Sequence, residues 1–154
     1  MPPYKKLRGW TLLELMAVIT IASVLASVAY SSYTNAIRRT RTTQAIADIV
    51  RIHAALERYK LDHRDELPLT LEEIGMALVD PWGEPYQYLN FDTLPGKSKG
   101  KVRKDRNLVP LNSRYDLYSK GPDRESRSPL TAKASRDDII MASDGAFIGI
   151  AADY

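Results

Sequence analysis

Residues Trp10–Tyr30 read WTLLELMAVITIASVLASVAY, 21 residues of which only Glu14 is charged. A helix of that length rises roughly 30 Å, the thickness of a bilayer core. The run limits every other option. It either crosses a membrane or is buried among other helices, and the roughly 120 residues left over suffice for one small domain with a modest core. A secretory signal peptide carries a shorter apolar region, so a lasting anchor is expected. Lys5, Lys6 and Arg8 stand just before the run, and the positive-inside rule holds that end in the cytoplasm. The bulk of the chain then lies outside the cytoplasmic membrane. These three residues also account for the charge. Of 22 Lys and Arg they are the only ones in the first nine positions, and without them 19 basic side chains face 19 acidic ones. The net +3 is thus a property of the leader, which weakens any general argument for nucleic-acid binding. The chain has no cysteine, which removes disulfides and thiolate metal sites.

Glu14 is the anomaly. An unpaired carboxylate within a membrane segment costs about 2.5–3.5 kcal/mol on insertion scales, less near the interface, and ionisable groups there are paired and functional. MPPYKKLRG followed by WTLLELMAVIT resembles a type IV prepilin signal: a short basic leader ending in glycine, a bulky apolar residue, and a glutamate fifth after the cut. The resemblance implies cleavage between Gly9 and Trp10 by a prepilin peptidase on the cytoplasmic side, and N-methylation of the new amine on Trp10. It further implies that Glu14 of one subunit meets that amine on its neighbour in a filament. Trp10 stands where the family usually has Phe. Two local alternatives remain for Glu14: its own amine four residues away, or snorkelling to the headgroups.

No proline interrupts residues 10–67, so the helix is expected to run on into the soluble domain and stop at Pro68. Ser31 occupies the place where many pilins have a helix-loosening proline. Arg38, Arg39 and Arg41 follow at or beyond the outer interface, as a solvated basic face or partners for phospholipid headgroups. Ala45, Ile49, Ile52, Leu56 and Tyr59 recur at steps of four and three, one face of an amphipathic helix that should cover a sheet. His53 lies beside this stripe and reads as a packing or surface residue; His63 falls in the polar end. LTLEEIGMALV predicts a short helix with Thr70 as N-cap and Glu73 completing a capping box. Asp80-Pro81-Trp82-Gly83 predicts a tight turn. Alternating Tyr86 and Tyr88, then RYDLYSK, then one or two short segments around Asp144-Gly145, predict strands. The fold class is α+β. The pilin resemblance implies a long transmembrane-to-soluble helix on a small antiparallel sheet, divided as leader 1–9, filament-core helix 10–30, soluble helix 31–67 and sheet domain 68–154.

DPWGEPYQYL, YDLYSKGPD and SRDDI occur in the same order in the major pseudopilin of type II secretion, which the second half resembles. The segment before DPWG is shorter here, and KSKGKVRKDRNLVPL is added. The resemblance implies a calcium site with Asp123, Asp137 and Asp138 as side-chain ligands and the carbonyls of Lys120 and Ser135 completing it. Calcium asks for six to eight oxygens, and an ion there would tie the 18-residue connection 121–138 to the sheet. Arg124 stands where the family has glycine. The alternative without metal has Asp137 capping a turn and Asp138 paired with Arg136 or Arg127. In the added loop Lys97, Lys99, Lys101, Arg103, Lys104 and Arg106 oppose only Asp105. With no aromatic residues interleaved to stack on bases, a solvated loop is expected and nucleic acid is not an expected partner.

No Gly-rich phosphate loop, His-carboxylate cluster or Ser or Cys nucleophile motif occurs, so no enzyme is expected. The resemblance implies a structural subunit of a periplasmic pseudopilus that drives protein export. It would sit single-pass in the bacterial inner membrane before assembly with like or related subunits, worked by an inner-membrane platform and a cytoplasmic ATPase. The alternative is a minor type IV pilin acting in pilus assembly, adhesion, twitching motility or DNA uptake.

Overall fold

The computed structural model describes residues 10–95, 100–106 and 108–154. The chain divides into two compact units, the residues up to Arg39 and Thr40–Tyr154. Helix α1, Leu12–Asp62, contributes to both.

In the first unit every residue from Trp10 to Ala36 is exposed. α1 continues through Ser31 without a break, because serine keeps the backbone N–H that proline lacks. The hydroxyls in this stretch turn inward on the helix itself: Thr20 donates to the Met16 carbonyl at 2.7 Å, Ser23 to Ile19 at 2.6 Å, Ser27 to Val24 at 2.8 Å and Thr34 to Ser31 at 3.0 Å. Those groups therefore carry little desolvation cost in lipid.

The second unit is built on a four-stranded antiparallel meander in the order β1 Gln87–Asn90, β2 Tyr115–Ser119, β3 Ile139–Ala142, β4 Phe147–Ile150. Pleating sends alternate side chains to opposite faces. One face carries Tyr115, Leu117, Ile139 and Met141, which pack with the predicted stripe Ala45, Ile49, Ile52 and Leu56 of α1, all four at 0% exposure. Tyr59, the last of the stripe, is half-buried and stacks on His63. The opposite face carries Ile140 and Ala142, buried with Leu111, Leu130 and Ala151. The helix covers one face; loop residues on either side of β2 cover the other, which sequence periodicity does not show.

Two expected elements change. α1 ends at Asp62 rather than running to Pro68: Arg64 and Asp65 take positive φ, the Asp65 N–H closes on the Lys60 carbonyl at 2.9 Å, and Arg114 holds the Asp65 carboxylate at 2.8 Å. The reversal delivers Leu67 and Pro68 into the core. The expected short helix after Pro68 is a single 3-10 turn, Glu72–Ile74, closed by Gly75 at φ 66. Thr70 is not its cap; Leu71 is, with no side-chain bond, while Glu73 accepts from the Leu69 N–H at 3.1 Å. The Asp80 turn forms as predicted. Its Oδ1 accepts from the Trp82 and Glu84 N–H groups at 3.0 and 2.9 Å, and the Ser119 hydroxyl donates to Oδ2. The turn is thereby pinned to the end of β2.

Candidate functional site

The site at the start of α1 rests on Thr11 and Glu14. The Thr11 hydroxyl oxygen accepts from the Glu14 N–H at 3.2 Å, and the Thr11 N–H and hydroxyl donate to Glu14 Oε2 at 2.9 and 3.1 Å. This is a reciprocal capping box, Thr-x-x-Glu, which satisfies helix-end N–H groups that would otherwise lack partners. The signature stands in the sequence as TLLE, where the charge of Glu14 draws the eye away from Thr11. Trp10 is 75% exposed and precedes the helix. Gly9, like Lys5, Lys6 and Arg8, lies outside the described residues.

The acids expected to hold calcium do not form a metal-binding group of their own. Among the described residues no three His, Asp or Glu side chains are grouped so as to hold a metal ion. Asp123 is exposed, and its Oδ1 accepts from the Glu125 N–H at 2.8 Å, a local turn. The Ser135 hydroxyl accepts from the Arg127 N–H at 2.8 Å and donates to the Arg127 carbonyl at 2.7 Å, fastening the connection to itself. The Lys120 ammonium lies 3.5 Å from Glu84. Asp137 is half-buried, and its carbonyl lies against Gly121.

Asp138, at 0% exposure, is already partnered. Arg103 Nη2 donates to its Oδ2 at 2.5 Å and the Ser126 hydroxyl donates to the same oxygen at 2.6 Å. Only Oδ1 is buried without a partner. Asp138 itself thus offers an ion only that one oxygen of the six to eight that calcium asks for, and meets it with the Arg103 cation already in place. The metal-free alternative also changes: the cation opposite Asp138 is neither Arg136 nor Arg127 but Arg103, 35 residues upstream. Arg103 was expected to be solvated with the rest of the basic loop; it is 3% exposed. Lys97 and Lys99 lie outside the described residues.

Asp116, 1% exposed, sits beside this pair. Its Oδ2 accepts from the Arg103 N–H at 2.6 Å and its Oδ1 from the Asn112 amide at 3.2 Å. Burial pushes the carboxyls of Asp116 and Asp138 up from their ordinary range, and the bonds and charge of Arg103 act against that in both. His53, expected as a packing or surface residue, is half-buried with Nδ1 2.6 Å from the Tyr115 hydroxyl.

Gly121 marks how tightly this corner is built. Its φ is 70°, and a Cβ there would fall on the Asp137 carbonyl oxygen. Gly121→Ala is expected to lower the melting temperature, the left-handed backbone alone costing about 1–3 kcal/mol. An unchanged melting curve would show that the corner rearranges freely.

Residues 4–30 match the family described as the prokaryotic N-terminal methylation motif. That span contains Gly9, Trp10, Thr11 and Glu14. Beyond it the chain is similar to the type II secretion system core protein G of Pectobacterium carotovorum, 32% identical over 139 residues that cover 75% of this chain and 76% of that protein. It is 32% identical over 142 residues to core protein G of Escherichia coli K12, covering 78% and 85%. For the Pseudomonas aeruginosa core protein G the identity is 31% over 137 residues, covering 75% and 83%. The chain belongs to the core protein G family. No solved structure is a significant match. Membership in the core protein G family accounts for the methylation motif, the exposed apolar helix and the α+β sheet unit together.

Proposed function

We propose that the chain is a structural subunit of a type II secretion pseudopilus, assembling with other pilin-like subunits through its N-terminal helix. One observation carries this reading: from Leu12 to Ala36 an unbroken helix exposes all of its apolar side chains and carries its one acid near the start. Such a surface is covered either by lipid or by copies of itself. The prepilin leader places the amino end in the cytoplasm and the sheet unit in the periplasm. A prepilin peptidase then cuts after Gly9 and the Trp10 amine is methylated. Lipid covers the helix before assembly and neighbouring helices cover it afterwards. Both Thr11 contacts fall on Glu14 Oε2. Oε1 is the oxygen that meets the Trp10 amine of an adjacent subunit, so the cap and the intersubunit contact are compatible. The chain itself is structural; the work of extracting subunits from the membrane comes from a cytoplasmic ATPase acting through an inner-membrane platform.

Two measurements test this. Intact-mass analysis of the membrane-extracted protein is expected to show a chain that begins at Trp10 and carries one added methyl group. Deleting the chain is expected to abolish export of secreted proteins while twitching and transformation persist. An unprocessed start at Met1 in cells with a working peptidase defeats the reading. Loss of twitching with secretion intact would instead favour a minor type IV pilin.

A further inference from the structure

Charged side chains are seldom fully buried unless paired. Arg103 and Asp138 are buried together, on the sheet face that the helix does not cover. Arg103 Nη1 donates to Ser126 at 2.6 Å, Nη2 donates to Asp138, and the guanidinium carbon lies 4.1 Å from the centre of the Tyr118 ring. The Ser126 hydroxyl, which accepts from Arg103, in turn donates to Asp138. A planar fork can bridge two oxygens and lie over an aromatic ring at once, which a lysine ammonium cannot do.

The backbone around Arg103 is equally committed. Its N–H donates to Asp116 and its carbonyl accepts from the Leu111 N–H at 3.0 Å. On the next residue, the Lys104 N–H donates to the Ser128 carbonyl at 3.1 Å and the Lys104 carbonyl accepts from the Leu130 N–H at 2.9 Å. The Ser128 hydroxyl reaches the Gly100 carbonyl at 3.1 Å. Residues 100–104 are thus stitched along 126–130, with Val102 and Leu111 buried beside Arg103.

We propose that Arg103 is the resident cation of this corner: it neutralises Asp138 and fastens the 121–138 connection to the sheet, the task a divalent ion would otherwise perform, so that the sheet unit folds without calcium. A dication brought to Asp138 would face a buried guanidinium of like charge and find one available carboxylate oxygen. The added basic loop is therefore a clasp made of protein. The inference does not depend on what the filament exports.

The test uses the full-length processed protein in detergent, melted with excess calcium and with a calcium chelator, and calorimetric titration with calcium. The wild-type protein is expected to melt at one temperature in both conditions and to show no binding heat. Arg103→Met is expected to melt about 10 °C or more lower, because it leaves Asp138 buried and unpaired. The double variant Arg103→Met/Asp138→Leu is expected to recover most of that loss, since removing both charges of a buried pair is often nearly neutral. A chelator-induced drop of several degrees in the wild type, or a saturable calcium heat, overturns the proposal. So does an Arg103→Met protein that melts with the wild type. If neither variant folds, the wild-type comparison decides alone: equal melting supports the clasp and a chelator-sensitive melt refutes it.

Discussion

A chain carrying Glu14→Leu is expected to be clipped before Trp10 and retained in the membrane, yet to leave secretion at background. Leucine suits lipid better than glutamate, so insertion is not the step at risk. What disappears, in the assembly proposed above, is the acceptor for the neighbouring amine. A hydrogen bond to a charged group is worth about 1.5–3 kcal/mol, and losing it at each contact weakens each subunit addition about ten- to a hundredfold. Repeated along a filament, that prevents growth. Crosslinking of assembled subunits, read beside export of a reporter, checks it. Thr11→Val separates the two tasks of the acid: it removes the hydroxyl of the capping box and leaves the carboxylate. Assembly should survive in Thr11→Val and fail in Glu14→Leu. If both fail alike, the carboxylate serves the helix end and nothing more.

The second large effect belongs to the seam between α1 and the sheet. Leu56→Ala is expected to destabilise the sheet unit by about 2–5 kcal/mol, from lost burial and the cavity left behind. Leu56 has 0% exposure and sits in the core cluster with Ile52, Tyr115 and Leu117. Against a total of about 5–15 kcal/mol that is a large share, and the melting temperature should fall by about 10–20 °C. Leu61→Ala, five residues further along the same helix, is the control. Leu61 is 87% exposed, so its loss should cost about 0.5 kcal/mol or less. Near-ultraviolet circular dichroism on both proteins reads the contrast through the buried Trp82 and tyrosines.

The helix and its buried stripe are legible because they depend on local periodicity: Ala45, Ile49, Ile52 and Leu56 are named by spacing alone. The strands and the Asp80 turn are legible for the same reason, as alternation and Pro-Gly placement. The end of α1 is not. Nothing local forbids helix up to Leu67; the reversal at Arg64 and Asp65 is held by Arg114, which is distant in sequence. The largest departure has the same origin. Arg103 reads as one more base in a polar loop, and its burial follows from Asp138 and Ser126, which reach it only once the chain has folded. Asp123, Asp137 and Asp138 are grouped by a resemblance in sequence, which gives no sign that Arg103 reaches Asp138 from a distant loop. The capping role of Thr11 was readable from TLLE and was overshadowed by the charge beside it.

The inward-turned hydroxyls of Thr20, Ser23, Ser27 and Thr34 have a mechanical consequence. With their protons already spent on their own helix, they offer adjacent helices few polar landmarks, and side-by-side attraction there comes mainly from dispersion. Such contacts favour several axial offsets nearly equally, so helices can slide past one another against little resistance. In the filament proposed above, a stack of such helices would yield easily along its axis until a lone electrostatic detent, one per subunit, clicks into place.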